Sequence, residues 1–434
     1  MGTRRLTVAG ESGLSGGVSP AVPEHESTVR VYWTALIGLF FDYYDLFLFI
    51  YLERTLAADF ALTTSASNWL QFTGLAGVGA GSLLFGYLAD RWGRGRVMLA
   101  VFGVYAVGIA GLSLAWNFES LLSFRLVASL ALGAEWGISH SYLTERVTGA
   151  QRYRMSALLQ FSILGGLLAA LASRYALPVI GWRALFALSI LPVAILSAVR
   201  GRMLASDGSL VGATFRREGI SESSDSPPRV GTDCSSVGGG LDGAPSGRAL
   251  PAVSLRFAAC LALASLTIAS GTINIFFAKE LPQSVWHTVL FWGNVAPGML
   301  LGAWIVRERG VRRALVYYGV GLVALSLLAW LSPWSQRKLA FALLLPLLNG
   351  VPFGLMGALF NEQFSVYRTM LSGAAYNLGR ILAGFSPLLL VGLGLNEGGR
   401  YFIFTAAIGV AVCLLAGWLQ GAGASAKQAA VDSA

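Results

Sequence analysis

Charge is what this chain has least of. Only 12% of its 434 residues are Asp, Glu, Lys or Arg, about half the share found in soluble domains. An ordinary water-soluble globule is thereby excluded. Cysteine is scarce as well: Cys234, Cys260 and Cys413 provide neither a disulfide framework nor a metal-ligand spacing. The three histidines, His25, His140 and His287, fall in a tail, an apolar run and near the end of another. A transmembrane redox enzyme would need them paired as haem ligands, so that class is set aside, and no cofactor is expected. The first thirty residues lack a short apolar stretch followed by a cleavage site. No signal peptide is expected to be removed, and the first apolar run is expected to serve as the anchor.

What the chain has instead is apolar length. Hydrophobic residues make up 55% of it, with a mean hydropathy of +0.64. Twelve runs stand out, at 31–52, 68–89, 97–116, 120–143, 155–177, 183–199, 254–277, 285–306, 314–331, 339–361, 370–394 and 401–420. Most are long enough for a helix to cross a hydrocarbon core of about 30 Å. Between the sixth and seventh lies 201–251, rich in Ser, Gly, Pro and Arg, with little to bury. It predicts a disordered linker. The expected organisation is a tail (1–30), six helices (31–200), the linker (201–251), six more helices (252–421) and a second tail (422–434).

The net charge of +9 has a topological cause. Seven basic residues (Arg54, Arg174, Arg183, Lys279, Arg337, Lys338 and Arg400) fall in one set of loops. Arg125 and Arg380 fall inside apolar runs, and the other 22 of the 31 fall in the opposite loops and the tails. The basic side is the cytoplasmic one. Both termini are therefore expected inside the cell, the chain in the plasma (inner) membrane, and the excess charge is no nucleic-acid footprint.

The two sets of six runs also repeat. Gly86 and Gly302, 216 residues apart, each end a run before a basic loop; Glu145 and Glu362 are 217 apart, each followed by an arginine, Arg152 and Arg368. Gly181-Trp182-Arg183 returns as Gly398-Gly399-Arg400 at 217. A common offset in three features marks an internal repeat. Two repeated helical bundles around a midplane site form a transporter architecture.

Between the second and third runs stands Gly86-Tyr87-Leu88-Ala89-Asp90-Arg91-Trp92-Gly93-Arg94-Gly95-Arg96. The pattern Gly-x-x-x-Asp-Arg-x-Gly-Arg-x-Arg at this place resembles the signature loop of the major facilitator superfamily. The resemblance implies an all-α membrane protein of twelve helices in two pseudo-symmetric six-helix halves. Gly86 and Gly93 allow close approach and a sharp turn. Asp90 is placed to pair with an arginine, or to sit at a helix end, in one conformation and not another; Arg91 and Arg94 belong to the same candidate switch. Glu145 and Arg152 are candidates for the same switch. At the second copy of the loop Val306 stands where Asp90 does.

Ionisable groups inside a membrane are costly and mark function by default. Asp42 and Asp45, spaced i,i+3, share one helix face, and two carboxyls in apolar surroundings suit a proton carrier. Arg125 and Glu135 lie ten residues apart, about 15 Å along a helix, so each needs a partner elsewhere; Asp42 or Asp45 is the expected partner of Arg125. His140 is expected to be a polar anchor near the cytoplasmic end. Arg380, with Tyr376 and Asn377 one turn back, offers a planar fork suited to a carboxylate; the alternative is neutralisation by Glu135 or Asp45. Gln71, Gln160, Asn274, Asn294 and Asn349 are further mid-run polar groups, Gln160 a candidate for the cavity wall alongside Tyr44.

Four stretches are similar to the metabolite:proton symporter branch of that superfamily, the sialic-acid and aromatic-acid type. They are Phe41-Asp42-Tyr43-Tyr44-Asp45, Gly133-Ala134-Glu135-Trp136-Gly137, Gly181-Trp182-Arg183-Ala184-Leu185-Phe186 and Ala375-Tyr376-Asn377-Leu378-Gly379-Arg380. The likeness implies proton coupling through Asp42, Asp45 and Arg125. Ser129 stands where the branch has glycine, and Gly95 where it has a basic residue. The fifth run lacks the Gly-Pro pattern of drug:proton antiporters, and no sugar-porter Pro-Glu-Ser follows the sixth. The expected function is proton-driven uptake of a small carboxylate. Efflux or antiport by the same fold, and a receptor that senses without transporting, remain open.

Overall fold

A backbone in hydrocarbon can satisfy its own polar groups only by closing them into helices or barrels, and this chain chooses helices. The computed structural model describes residues 28–218, 250–280, 285–332, 334–395 and 401–431, and among them there is no strand. The helices are α1 Thr28–Asp59, α2 Thr64–Trp92, α3 Arg94–Ser113, α4 Phe118–Thr144, α5 Ala150–Leu159, α6 Gly165–Leu171, α7 Leu177–Glu218, α8 Leu250–Glu280, α9 Val285–Gly293, α10 Val295–Arg309, α11 Val311–Leu331, α12 Trp334–Gln363, α13 Arg368–Gly384, α14 Ser386–Gly392 and α15 Tyr401–Val431. Among the described residues eleven helical stretches are long and apolar enough to cross a membrane. One of them, Ala150–Arg202, is 53 residues long and breaks at Gly181, whose φ of 75° is not helical. Most of the expected linker lies outside the described residues.

Local breaks fall where the sequence supplies a cause. A 3₁₀ stretch, Gln160–Leu164, joins α5 to α6, and a π stretch, Ala172–Ala176, joins α6 to α7; such irregular turns inside long helices often accompany functional sites. Pro346 and Pro352 interrupt the hydrogen-bond ladder of α12, as a missing N–H must. The turn from α2 to α3 is made at Gly93 (φ 92°) and that from α10 to α11 at Gly310 (φ 82°). These two left-handed glycines, 217 residues apart, reproduce the spacing read from the sequence.

Helices α1–α7 pack mainly on one another, and α8–α15 do likewise. Within the first group α2 and α4 touch through backbone. A methyl group added at Gly81 would overlap the Leu130 carbonyl, and one at Gly133 the Val78 carbonyl. Small residues at such crossings replace the hydrophobic drive that lipid cannot supply. The groups meet along α2–α13, α4–α13, α5–α10 and α5–α12. Large apolar side chains such as Trp33, Trp69, Leu191 and Leu414 point outward, as they do on a lipid-facing surface.

Candidate functional site

Where the two helix groups face each other, α1, α9, α12 and α13 surround a cavity of about 230 Å³. Its wall is largely aromatic, from Tyr43 and Phe47 on α1, Phe291 and Trp292 on α9, Phe353 on α12 and Tyr376 on α13, with aliphatic side chains between them and Thr272 on α8, Asn349 and Arg380 as polar members. Phe47 and Trp292 meet edge to face at 4.6 Å. Arg380 donates to the Tyr376 hydroxyl at 3.2 Å, and that hydroxyl lies 3.0 Å from the hydroxyl of Tyr43. The guanidinium sits 4.9 Å from the Tyr376 ring centre and 5.8 Å from that of Tyr43. Among the described residues no carboxylate forms an ion pair with it. Glu135 and Asp45 do not neutralise it.

The floor is built from α4 and the 3₁₀ stretch. Trp136 stacks on Tyr376 at 3.8 Å and 5° and donates its indole N–H to Gln160 Oε1 at 3.2 Å. His140 Nε2 reaches the same oxygen at 3.2 Å, while the Gln160 amide donates to the Phe353 carbonyl at 3.3 Å. Beyond the floor, toward the basic loops, the groups are tied together further. Ser156 accepts the Ala358 N–H at 3.2 Å, Ser141 donates to Asn361 at 2.6 Å, and Tyr153 donates to Glu362 at 2.5 Å. A methyl at Gly137 would press on the Gly373 backbone, and one at Gly357 on the His140 ring. The cavity is therefore sealed at the end that carries Arg91, Arg94 and Arg96.

One face of α1 carries the buried acids. Asp42, Asp45, Glu135 and Arg125 are all 5% exposed or less. The Asp42 and Glu135 carboxyls come within hydrogen-bonding reach of each other, and Glu135 fits against α1 only because residue 38 is glycine. Asp42 also feels the charge of Arg380. Asp45 accepts from Ser189 at 2.8 Å and lies in the field of Arg125. Arg125 makes no ion pair with either acid; its guanidinium lies 3.7 Å over the ring of Phe49 and against Gly74. Among the described residues one oxygen each of Asp42, Asp45 and Glu135, and the Arg125 Nε, find no hydrogen-bond partner. Orphaned ionisable groups in so closed a setting are rare in structural roles.

The signature loop forms the second centre. Tyr367, at the start of α13, is left-handed (φ 49°) and caps nothing with its side chain. The cap comes from the other helix group: Asp90 accepts the Thr369 N–H at 3.1 Å and the Met370 N–H at 2.9 Å. Arg94 joins Asp90 (3.0 Å) to Glu145 (2.8 Å), which also faces Arg368 at 3.6 Å. Gly86 is where the Met370 backbone rests, and Tyr87 stacks near Tyr367 at 5.9 Å. Arg91 stays on the surface, donating to Tyr87, and Arg152 donates to the Val147 carbonyl; neither spans the groups.

Of the residues expected at the cavity, Tyr376 and Arg380 line it. Gln160 belongs to the floor, Asn377 donates to the Gly133 carbonyl at 2.8 Å, and Tyr44 turns its hydroxyl to the Leu185 carbonyl, away from the cavity. His140 is buried in the floor rather than anchoring a helix end. Tyr43, Phe47, Trp136 and Trp292 were not singled out beforehand. Tyr43 and Trp136 stand inside the stretches Phe41–Asp45 and Gly133–Gly137 and could have been found there; Phe47 and Trp292 carry no such signal. The side chain of Asn274 lies outside the described residues.

The sequence profile of the Major Facilitator Superfamily matches residues 35–367. The niacin transporter NiaP of Acinetobacter baylyi is 34% identical over 161 residues, 37% of each chain. A Bacillus subtilis protein, NiaP, named for niacin/nicotinamide transport, is 24% identical over 87% of this chain and 93% of its own. Among solved structures, that of the proton:xylose symporter XylE bound to 6-bromo-6-deoxy-D-glucose superimposes with a TM-score of 0.65 at 18% identity, over 89% of this chain and 94% of that one.

Proposed function

Since this chain belongs to the major facilitator superfamily, and is thus a multi-pass membrane transporter and not an enzyme, we propose that it imports a small aromatic carboxylate together with protons. The observation that carries this reading is Arg380: a cation in a largely aromatic cavity, bonded to a tyrosine and, among the described residues, to no carboxylate. A guanidinium takes a carboxylate through two parallel bonds, and the Phe47–Trp292–Tyr43 wall offers a planar ring edges and faces to pack against. Niacin, carried in the names of the two relatives, is one such molecule.

Asp42 and Glu135 supply the proton site. Two carboxyls share a hydrogen bond only when one is protonated. In this reading cargo seated on Arg380 and a proton on the Asp42–Glu135 pair load together. Asp45 and Arg125 form the flanking pair that follows the change of charge. The loaded carrier then rocks the α1–α7 half against the α8–α15 half. This reading counts Ala150–Arg202 as two passes and so gives twelve. It sets the termini and the basic loops in the cytoplasm, and makes this conformation the one open to the outside. Each elementary charge carried inward gains about 2.3 kcal/mol per 100 mV of membrane potential.

Proteoliposomes test it. With an inward proton gradient, labelled niacin or benzoate should accumulate while the lumen acidifies, and unlabelled carboxylate inside should drive counterflow without a gradient. A receptor that only senses would bind and give no counterflow. Accumulation of an uncharged amide analogue equal to that of the acid would sink the carboxylate assignment.

A further inference from the structure

A second opening in the molecule serves no step above. Between α5 and α10, at the basic end and on the outer surface, where Leu300 and Trp304 are exposed, lies a groove of about 410 Å³. Two arginines stand in it, Arg154 on the second turn of α5 and Arg307 on the last turn of α10. Arg154 is exposed and makes no hydrogen bond or ion pair among the described residues. Arg307 has only a loose contact with Glu308, at 3.7 Å with its side chain 74% exposed. Among the described residues Glu308 is the one carboxylate within ion-pair distance of either of them. Val306 occupies the place that Asp90 holds in the first loop, so no second acid comes from that side.

The lining changes character with depth. Gln151, Arg154 and Arg307 form the rim nearest the basic loops, and Trp304 and Leu300 follow toward mid-membrane. Trp304 is 59% exposed, at the level where an indole sits between headgroup and acyl chain. Paired arginines at the rim, an interfacial tryptophan and an apolar continuation repeat the polarity of a phospholipid from phosphate to glycerol to chain. Free phosphate matches only the rim.

We propose that this groove binds one anionic phospholipid, its phosphate held between Arg154 and Arg307 and its upper chain against Trp304 and Leu300. Guanidinium groups favour phosphate over a zwitterionic headgroup, whose own cation would meet them. Because the arginines belong to different helix groups, the lipid bridges α5 and α10 along a seam that opening at the basic end must part.

The test needs no cargo, so its outcome is independent of the substrate assignment. Full-length protein is purified in mild detergent, offered phosphatidylglycerol or phosphatidylcholine, and examined by native mass spectrometry. Wild type should retain one phosphatidylglycerol in preference to phosphatidylcholine. Removing both charges in R154Q/R307Q should weaken that retention on the order of thirtyfold, while R312Q/R313Q, with the same change of net charge on neighbouring exposed arginines, should leave it near wild type. R154K/R307K should retain an intermediate affinity, and it serves where the glutamine variant does not stay monodisperse. Equal retention of the two lipids by wild type, equal losses in both glutamine variants, or displacement of phosphatidylglycerol by excess inorganic phosphate would each overturn the proposal.

Discussion

Asp90→Asn isolates the cap that one helix group lends the other. In the present conformation Asp90 gives one oxygen to Thr369 N–H and one to Met370 N–H, and holds Arg94 as well. Asparagine caps helices about as well as aspartate, but it has one acceptor oxygen and no charge. The variant keeps one backbone bond and loses the second, along with the attraction to Arg94 and to the positive end of α13. A charge-assisted bond is worth about 1.5–3 kcal/mol and a helix-end charge about 0.3–1 kcal/mol. The side chain is only 9% exposed, so water screens little of this; part of the loss is recovered by the remaining bond. The net cost falls near 1–2 kcal/mol, a shift of roughly five- to thirtyfold in the ratio of closed to open at the basic end. Asp90→Ala, which loses both bonds, should shift it further. Spin labels at Arg96 and Arg313, in a cysteine-free background, would read the populations by double electron–electron resonance. Transport should show slower turnover with little change in substrate affinity, since the loop is remote from the cavity. Unchanged distance distributions in both variants, or a large change in affinity at normal maximal rate, would refute the reasoning.

Four further outcomes are expected. Asp42→Asn or Glu135→Gln should abolish accumulation driven by a pH gradient while exchange of labelled cargo survives, because the amide imitates the protonated acid; loss of exchange as well would make these residues structural. Arg380→Lys should weaken cargo binding about ten- to a hundredfold despite the retained charge, measured by competition; normal affinity with lost coupling would exchange its role with that of the acids. Gly133→Ala should lower thermal stability by about 1–3 kcal/mol, since the added methyl meets the Val78 carbonyl; a stable, active variant would show that α2 and α4 can move apart. A reporter active only in the cytoplasm should work when fused at the C-terminus and fail in the loop near 60; the reverse would invert the topology.

The helices were readable because lipid imposes a length and an apolar composition on each run, and the loop because its glycines and charges sit at fixed spacing. Arg380 and the acids were readable because a charge inside such a run has no cheap explanation. Direction was harder to read. Gln160, Asn377 and Tyr44 share the composition of cavity residues, yet each spends its polar group on a neighbouring helix, and nothing local distinguishes them. Tyr43 finds Tyr376 across 333 positions of sequence, and Phe47 meets Trp292 on another helix. Such encounters follow from how two groups of helices are set against one another, a property of the assembled packing that no run of residues contains. The trans-cap on α13 escaped for the same reason, although Asp90 itself did not.

The glycine contacts sort this protein's crossings into two mechanical kinds. At Gly81 and Gly133 backbone lies on backbone inside one group of helices, and those joints behave as welds. At Gly137 and Gly357 the close approach is between groups, against Gly373 and His140, and those joints behave as stops that a moving part comes to rest on. Thickening a weld by one methyl threatens the part itself. Thickening a stop leaves both parts intact and changes where they come to rest, so a substitution at Gly137, which meets only the Gly373 and Thr369 backbone, offers a way to hold the molecule in its opposite posture without touching a single ionisable group.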